Sequence, residues 1–183
     1  MLKITIPGTE LYDEKNNEFI QTKDQVLCLE HSLVSISKWE SKWCIPFLDN
    51  SKPKTVEQTM DYVRCMTLTQ NVDENVYKGL TNKHIKEIND YIDAPMTATW
   101  FSNNENRGRR GTGEKVTSEL IYYWMIALNI PFECQKWHLN RLLTLIRVCN
   151  IKNQPPKKMS NKEIYARNNA LNQARRKALR SKG

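Results

Sequence analysis

The sequence predicts a mostly helical α+β fold, because strand-like alternation at its start gives way to helical spacing of apolar residues. The stretch "LKITI" (residues 2–6) alternates apolar and polar side chains, as a strand with one buried face does. From Ser32 onward, apolar residues recur at the period of an α-helix, and the residues after 151 are strongly basic. We therefore expect a small N-terminal antiparallel β-sheet, a helical core, an extra β-hairpin and a basic C-terminal helix.

Three short strands are expected within the first thirty residues. The stretch "LKITI" is followed by the breaker "PG", and "DEKNN" has the polar composition of a turn. The stretches "EFIQT" and "QVLCLE" then have the composition of two further short strands. Together these patterns predict one small antiparallel sheet.

Helical spacing and capping patterns predict the helices that follow. Ile36, Trp39 and Trp43 fall at i, i+3 and i+7, so they share one helical face. Thr55 and Gln58 form a T-x-x-Q capping pattern, which predicts that a second helix begins there. Further short helices are expected in "DENVYKGL" and in "NKHIKEINDYI".

A β-hairpin is expected between these helices and the next one. The stretch "MTATWF" returns to residues typical of strands, and "EKVT" would supply the returning strand. The intervening "SNNENRGRRGTG" has no periodicity and would form the tip. That tip carries Arg107, Arg109 and Arg110, which are candidate contacts for a partner.

The most apolar helix of the chain is expected to begin at a cap on Thr117 or Ser118 and to stop before Pro131. Apolar residues surround this helix on all sides. Such a pattern is typical of a helix that is covered all round. We therefore expect it to be the central buried element of the domain.

The stretch "ECQKWHLNRL" places Cys134 and His138 four residues apart, on a helix expected to run to about Cys149. Two zinc ligands, or a catalytic Cys–His pair, would be spaced in this way. However, His31 and His84 lie in unrelated segments, and no third orienting group accompanies the pair. Because His138 lies within the apolar stripe, we expect a packed histidine that donates to a backbone carbonyl, with no metal, cofactor or enzymatic activity.

The opposite side of the same helix is a candidate partner-binding surface. It carries Trp137, Asn140, Arg141, Thr144 and Arg147. Tryptophan and arginine together are typical of the residues that dominate protein–protein interfaces. An equally valid interpretation is that Trp137 packs under a neighbouring segment.

The net charge of +8 is unevenly distributed along the chain. Residues 152–183 hold ten Lys or Arg and one acid, which leaves 18 basic and 19 acidic residues in the rest. This predicts a near-neutral globular domain over residues 1–151 and a basic linker and helix over 152–183, with an S-x-x-E capping box at 160–163. Basic tails bind anionic partners or stay solvated. The candidate contacts in this tail are Lys157, Lys158, Arg175, Arg176 and Lys177.

Several classes of protein are not supported by the sequence. The longest nearly unbroken apolar run, "LIYYWMIALNI", falls short of the roughly 20 residues that cross a bilayer. The start of the chain lacks a secretion signal, and the five cysteines form no C-x-x-C pair, so a reducing cytoplasm is expected. No nucleophile-elbow, phosphate-loop or zinc-protease motif is present.

Four stretches resemble a known protein family. They are "LEHSLVSISKWESKW", "YVRCMT", "TSELIYYWMIALNIPFECQKWHLNRLLTLIRVCN" and "LNQARRKALRSKG". They are similar to tailed-bacteriophage proteins of the tail-gene module that are called tail assembly chaperones. The resemblance spans nearly the whole chain and is strongest over residues 117–150.

The resemblance implies a role in virion morphogenesis in the host cell cytoplasm. Such a chaperone coats the long tape measure protein, recruits tail tube subunits and leaves before the virion is complete. It has no catalytic residues, and self-association is compatible with the role. Two alternatives stay open: a permanent tail or neck protein of the virion, and a nucleic-acid-binding protein that uses the basic tail.

Overall fold

The computed structural model describes residues 1–13, 18–49, 51–101, 115–154 and 160–179. Its contacts divide the chain into two compact units, Met1–Asn150 and Ile151–Gly183. Helices predominate among these residues, and their strands are antiparallel and lie in the N-terminal region. The predicted mostly helical α+β class is thus confirmed.

The N-terminal region contains two two-stranded sheets instead of the single sheet expected. Strand β1 (Leu2–Ile6) pairs antiparallel with β4 (Gln25–Leu29), and β2 (Glu10–Asp13) pairs antiparallel with β3 (Glu18–Gln21). Strand β2 was not expected from the sequence. The alternation of β1 is as predicted, since its isoleucines are buried and its intervening polar residues are exposed.

The two sheets are separated at Pro7 and Gly8. Proline has no N–H to donate to a strand partner, and the Gly8 N–H donates to the Asp24 carboxylate at 2.7 Å. A Cβ atom on Gly8 would lie 2.4 Å from the carbonyl oxygen of Thr22, so only glycine fits here. The ladder is therefore interrupted, and β2 and β3 pair beyond the break.

Two capped helices follow the sheets. Helix α1 (Leu33–Trp43) is capped by Ser32, and α2 (Val56–Met66) has a capping box in which Thr55 and Gln58 bond reciprocally. The predicted T-x-x-Q cap is therefore confirmed. The Trp39 indole N–H donates to the Gln58 carbonyl at 2.9 Å, which ties the two helices together.

The remaining described helices include both α and 3₁₀ forms. They are a 3₁₀ helix Glu74–Gly79, α3 (Asn82–Asp93), α4 (Ser118–Ala127), a 3₁₀ helix Phe132–Lys136, α5 (Leu139–Asn153) and α6 (Asn161–Leu179). The main core of the first unit combines both kinds of element. Its most deeply buried side chains come from β1, β4, α1, α2, α3, α4 and α5, and include Ile6, Leu27, Leu29, Leu33, Ile36, Trp39, Met66, Ile88, Ile121, Met125, Leu139 and Leu142.

The predicted β-hairpin is not formed by the described residues that would flank its tip. Residues 95–101 and 115–117 have no strand structure. The Trp100 side chain is 87 % exposed, and the Thr97 hydroxyl accepts the Thr99 N–H at 3.1 Å. Strand propensity depends on packing against a neighbouring strand, and a local side-chain hydrogen bond competes with it. Arg107, Arg109 and Arg110 lie outside the described residues.

Candidate partner-binding surfaces

The segment that carries Cys134 and His138 is not one helix, so the prediction of a shared helical face is wrong. Cys134 belongs to the 3₁₀ helix Phe132–Lys136, whereas α5 begins one residue after His138. The Leu139 N–H donates to the His31 carbonyl at 2.7 Å. This long-range hydrogen bond holds the backbone out of a continuous helix just before α5.

His138 is a packed histidine whose two ring nitrogens are both engaged. Because a carbonyl can only accept, Nε2 donates to the Tyr91 carbonyl, 2.9 Å away. Nδ1 accepts the Asn140 N–H at 3.3 Å, at the first turn of α5. Burial lowers the pKa of His138, in keeping with a neutral ring. The predicted donation to a backbone carbonyl is confirmed.

Asn140 has a structural role inside the domain. Its amide nitrogen donates to the carbonyls of Ile92 and Ala94, at 3.0 and 2.9 Å. These carbonyls lie at the C-terminal end of α3, where backbone acceptors lack helical partners. The two donor sites of this candidate side chain are thereby used within the fold.

Trp137 and Arg141 form a stacked pair. The guanidinium carbon of Arg141 lies 4.1 Å from the centroid of the Trp137 ring, which is the geometry of a cation–π contact. Trp137 is half-buried and packs against the core, whereas Arg141 is exposed. Trp137 follows the 3₁₀ helix and precedes α5, so the prediction that it shares a helix with Arg141 is wrong. It packs partly within the domain, while the stacked Arg141 lies at the surface.

Arg147 contacts the segment that precedes the undescribed loop. Its guanidinium carbon lies 4.0 Å from the centroid of the Phe101 ring. Both side chains are half-buried. This second cation–π contact holds the end of the irregular segment against α5.

Helix α4 has an exposed apolar face, so the prediction that it is covered on every side is wrong. Ile121 and Met125 are fully buried, but Tyr123 and Ile126 are 63 % and 60 % exposed. Phe132, in the following 3₁₀ helix, is 52 % exposed, and its ring centroid lies 6.4 Å from that of Tyr122 of α4. We call Tyr123, Ile126 and Phe132 the α4 patch.

The apolar composition of α4 is the sequence feature from which the α4 patch could have been found. The same composition also predicts a fully buried helix. Helix α4 contacts α1, and its fully buried residues Ile121 and Met125 lie four positions apart, on one side of the helix. Because the helix is apolar all round, the face turned away from α1 leaves apolar side chains exposed. Surfaces of this kind mark interaction sites when several large side chains are adjacent.

A pocket of about 620 Å³ opens among α2, α3, α5 and the loop after α1. That volume is typical of sites that accept a small molecule or a few side chains. Its apolar walls are formed by Phe47, Leu48, Tyr62, Ile92, Leu139 and Leu143. The sequence alone does not reveal this pocket, because its apolar walls come from four separate segments.

Lys54 lines the pocket and has no ion-pair partner among the described residues. Its ammonium nitrogen lies 4.5 Å from the centroid of the Phe47 ring. Burial lowers the pKa of Lys54, and attraction to Asp49 opposes that shift. Asp49 itself is paired with Lys115 at 2.6 Å, so it does not neutralise Lys54 by direct contact.

The C-terminal helix α6 is exposed along its whole length. Ser160 and Glu163 form the predicted cap: the Glu163 carboxylate accepts the Ser160 N–H at 2.8 Å. Arg175, Arg176 and Lys177 lie on this exposed helix. Lys157 and Lys158 lie outside the described residues.

The described residues offer no obvious site for metal chemistry. Within them, no three His, Cys, Asp or Glu side chains are grouped so that they could hold a metal ion. None of the described helices combines the length and apolar composition that a membrane crossing needs. Comparison of the chain with protein-family models, with curated proteins and with solved structures gave no match.

Proposed function

We propose that the protein is a tail assembly chaperone of a tailed bacteriophage. It binds the tape measure protein and tail tube subunits in the host cell cytoplasm, and it acts by binding, not as an enzyme. The resemblance of the sequence to that family supports the proposal, most strongly over residues 117–150. This range includes α4, the following 3₁₀ helix and most of α5.

The α4 patch is the observation that carries the proposal. Its three large apolar side chains are each more than half exposed, and they lie within the range of strongest resemblance. Exposed apolar faces on a helix are covered when a second helix packs against them. A long helical partner with apolar stretches, as a tape measure protein is expected to be, would cover this face.

Helix α6 would contribute positive charge to partner binding. It carries five basic residues and one acid, and none of its residues is buried. Its larger apolar side chains, Ile164, Tyr165, Leu171 and Leu179, are all exposed. An exposed amphipathic helix with this charge can attract an acidic partner from a distance and then pack against it.

Partner binding by two matched variants tests the proposal. Ile126→Ser removes an apolar side chain from the α4 patch, and Val56→Ser removes one from the exposed start of α2. We expect Ile126→Ser to weaken binding to tape measure fragments by about tenfold, as loss of an interface anchor does. Val56→Ser should leave the affinity within about twofold, since scattered surface side chains contribute little.

Two results would contradict the proposal. One is that the wild-type protein binds neither tape measure fragments nor tail tube subunits. The other is many copies of the protein in purified virions, measured by mass spectrometry, which would indicate a permanent tail or neck component. A chaperone that leaves before completion should be absent from the particles or present in traces.

The basic α6 also favours a second candidate function, nucleic-acid binding. Lysine and arginine side chains bind phosphates without a sequence motif, because counterions are released from the nucleic acid. Arg175, Arg176 and Lys177 are adjacent and exposed. The salt dependence of binding separates this function from the first, because phosphate contacts weaken steeply as salt is added.

A further inference from the structure

The pocket among α2, α3 and α5 has an aromatic wall. The rings of Phe47 and Tyr62 lie with their centroids 4.0 Å apart and are tilted by 33°. Both side chains are buried, as is Leu139, and Ile92 and Leu143, which also line the pocket, are half-buried. An aromatic group that enters the pocket would pack against these rings.

The polar side chain of His31 lies among the apolar residues that line the pocket. His31 is 2 % exposed and lines the pocket, and its Nδ1 is hydrogen-bonded to the Tyr62 hydroxyl. Its Nε2 makes no hydrogen bond with a described residue. Within the described structure, however, every fully buried side-chain nitrogen or oxygen has a hydrogen-bond partner. Nε2 therefore keeps some accessible surface, and His31 is one of the residues that line the pocket. A buried nitrogen in this position favours an occupant that can hydrogen-bond with it.

Two residues of opposite charge line the pocket. Lys54 lies over the Phe47 ring and has no ion-pair partner among the described residues, whereas Asp93 lines the pocket from the end of α3. An acidic group of an occupant is therefore favoured beside Lys54 and disfavoured beside Asp93. This asymmetry gives an occupant a preferred direction.

We propose that the pocket accepts a tyrosine side chain from a helical segment of a partner protein, and that an acidic residue near that tyrosine pairs with Lys54. The proposal rests on the proposed function and names the chemistry of the partner. The phenol ring packs against Phe47 and Tyr62, and its hydroxyl bonds to Nε2 of His31.

Tyrosine fits this site better than the other aromatic residues. Its hydroxyl both donates and accepts, so it satisfies Nε2 of His31 in either tautomer. Tryptophan can only donate, and phenylalanine would leave Nε2 unpaired. The pocket volume exceeds that of one ring, so an apolar residue one helical turn away can enter beside it.

Overlapping helical peptides from the tape measure protein of the same phage are the probe. Lys54→Glu should weaken binding of the best peptide by at least about tenfold, because two like charges then meet in a partly desolvated site. Lys52→Glu is the matched control, since Lys52 is exposed and is not part of the pocket. It should leave the affinity within about twofold, as expected for a rim charge.

Changes in the peptide identify which of its residues enters the pocket. Replacing its tyrosine by phenylalanine should weaken binding to the wild-type protein, because Nε2 of His31 then stays unpaired. Reversing the charge of its acidic residue should restore binding to the Lys54→Glu variant. Asn89→Trp, which narrows the pocket from the exposed surface of α3, should weaken binding of every such peptide.

The outcomes distinguish this proposal from the proposed function. Peptides that bind Lys54→Glu and Asn89→Trp as tightly as the wild type would overturn the pocket proposal and leave the chaperone function intact. Failure of the wild type to bind any peptide would contradict the chaperone function. In that case N-acetyltyrosine, which carries the phenol and a carboxylate, tests the pocket directly. Chemical shift changes at Ile92 and Leu143 that disappear in Lys54→Glu would support it, and their absence would overturn it.

Discussion

The carboxylate of Glu40 accepts a hydrogen bond from the backbone N–H of Ser118, 2.7 Å away, although the two residues are 78 positions apart in the chain. The second carboxylate oxygen accepts the Phe47 N–H, also at 2.7 Å. Glu40 is 7 % exposed and lies on α1, and Ser118 begins α4. One buried carboxylate therefore joins α1, the loop after it and the positive end of the α4 dipole.

Replacing this carboxylate should destabilise the domain. In Glu40→Gln the charge is lost, and the new amide can accept only at one atom, so a buried N–H is left without an acceptor. We expect the free energy of unfolding to fall by about 1–3 kcal/mol, measured by urea denaturation. Glu87→Gln is the control, because Glu87 lies on the exposed side of α3 in a 4.0 Å ion pair, and it should cost less than about 0.5 kcal/mol. Equal losses in both variants would contradict the assigned role of Glu40.

Stability should decrease as the pH falls from 7 to 5. Burial, and then the charge of His138, lower the pKa of His31 to about 4 in the folded protein. An unfolded histidine has a pKa near about 6.5, so protons bind the unfolded chain first as the pH falls. By pH 5 this difference should cost roughly 2 kcal/mol of the free energy of unfolding. The lowered pKa of His138 adds to the loss in the same direction.

Urea denaturation at several pH values checks this prediction. His31→Gln should show a shallower loss of stability between pH 7 and 5 than the wild type, even if it is less stable at pH 7. His84→Gln is the matched control, since His84 occupies the third position of α3, where glutamine can also complete a capping box. If the slope is the same in all three proteins, His31 does not carry the effect.

The chain up to residue 154 should fold without α6. Helix α5 ends at Asn153, and α6 has no buried residue. Removing residues 155–183 should therefore change the free energy of unfolding by less than about 0.5 kcal/mol, as for other surface changes. Calorimetry and urea denaturation of the shortened chain check this. A molten or insoluble fragment would show that the C-terminal residues are needed for the core.

Salt should weaken partner binding only modestly if apolar contacts dominate. Ions screen the attraction of α6 for an acidic partner, but the burial of the α4 patch is not a charge interaction. Between about 0.05 and 0.2 M salt, a nucleic-acid complex using six of the basic side chains would lose about a thousandfold in affinity. Titrations with tape measure fragments and with DNA over this range decide between the two functions. Tight, steeply salt-dependent DNA binding without affinity for tail proteins would exclude the chaperone.

Short sequence patterns predicted the elements that depend on residues only a few positions apart in the chain. The alternation in β1 and the caps at Thr55 and Ser160 were predicted because each depends on neighbouring residues alone. The mostly helical α+β class follows from the same periodicities. Local patterns of this kind need no knowledge of what packs against them.

Only the tertiary structure decided where the chain departs from its local pattern. The backbone leaves the helical path just before α5 because Leu139 bonds to His31, a residue far away in the sequence. The strand predicted over residues 96–101 is not formed, since strand structure depends on a neighbouring strand as well as on composition. Both outcomes depend on which segment lies beside them, and periodicity does not contain that information.

The same reason applies to the candidate sites. An apolar helix is compatible with burial on one face or on all, and only the packing of α4 against α1 left Tyr123 and Ile126 exposed. The pocket that holds His31 and Lys54 is assembled from segments that are distant along the chain. The sequence by itself determined the composition of these surfaces, and long-range packing, which fixes what each side chain faces, determined where they lie.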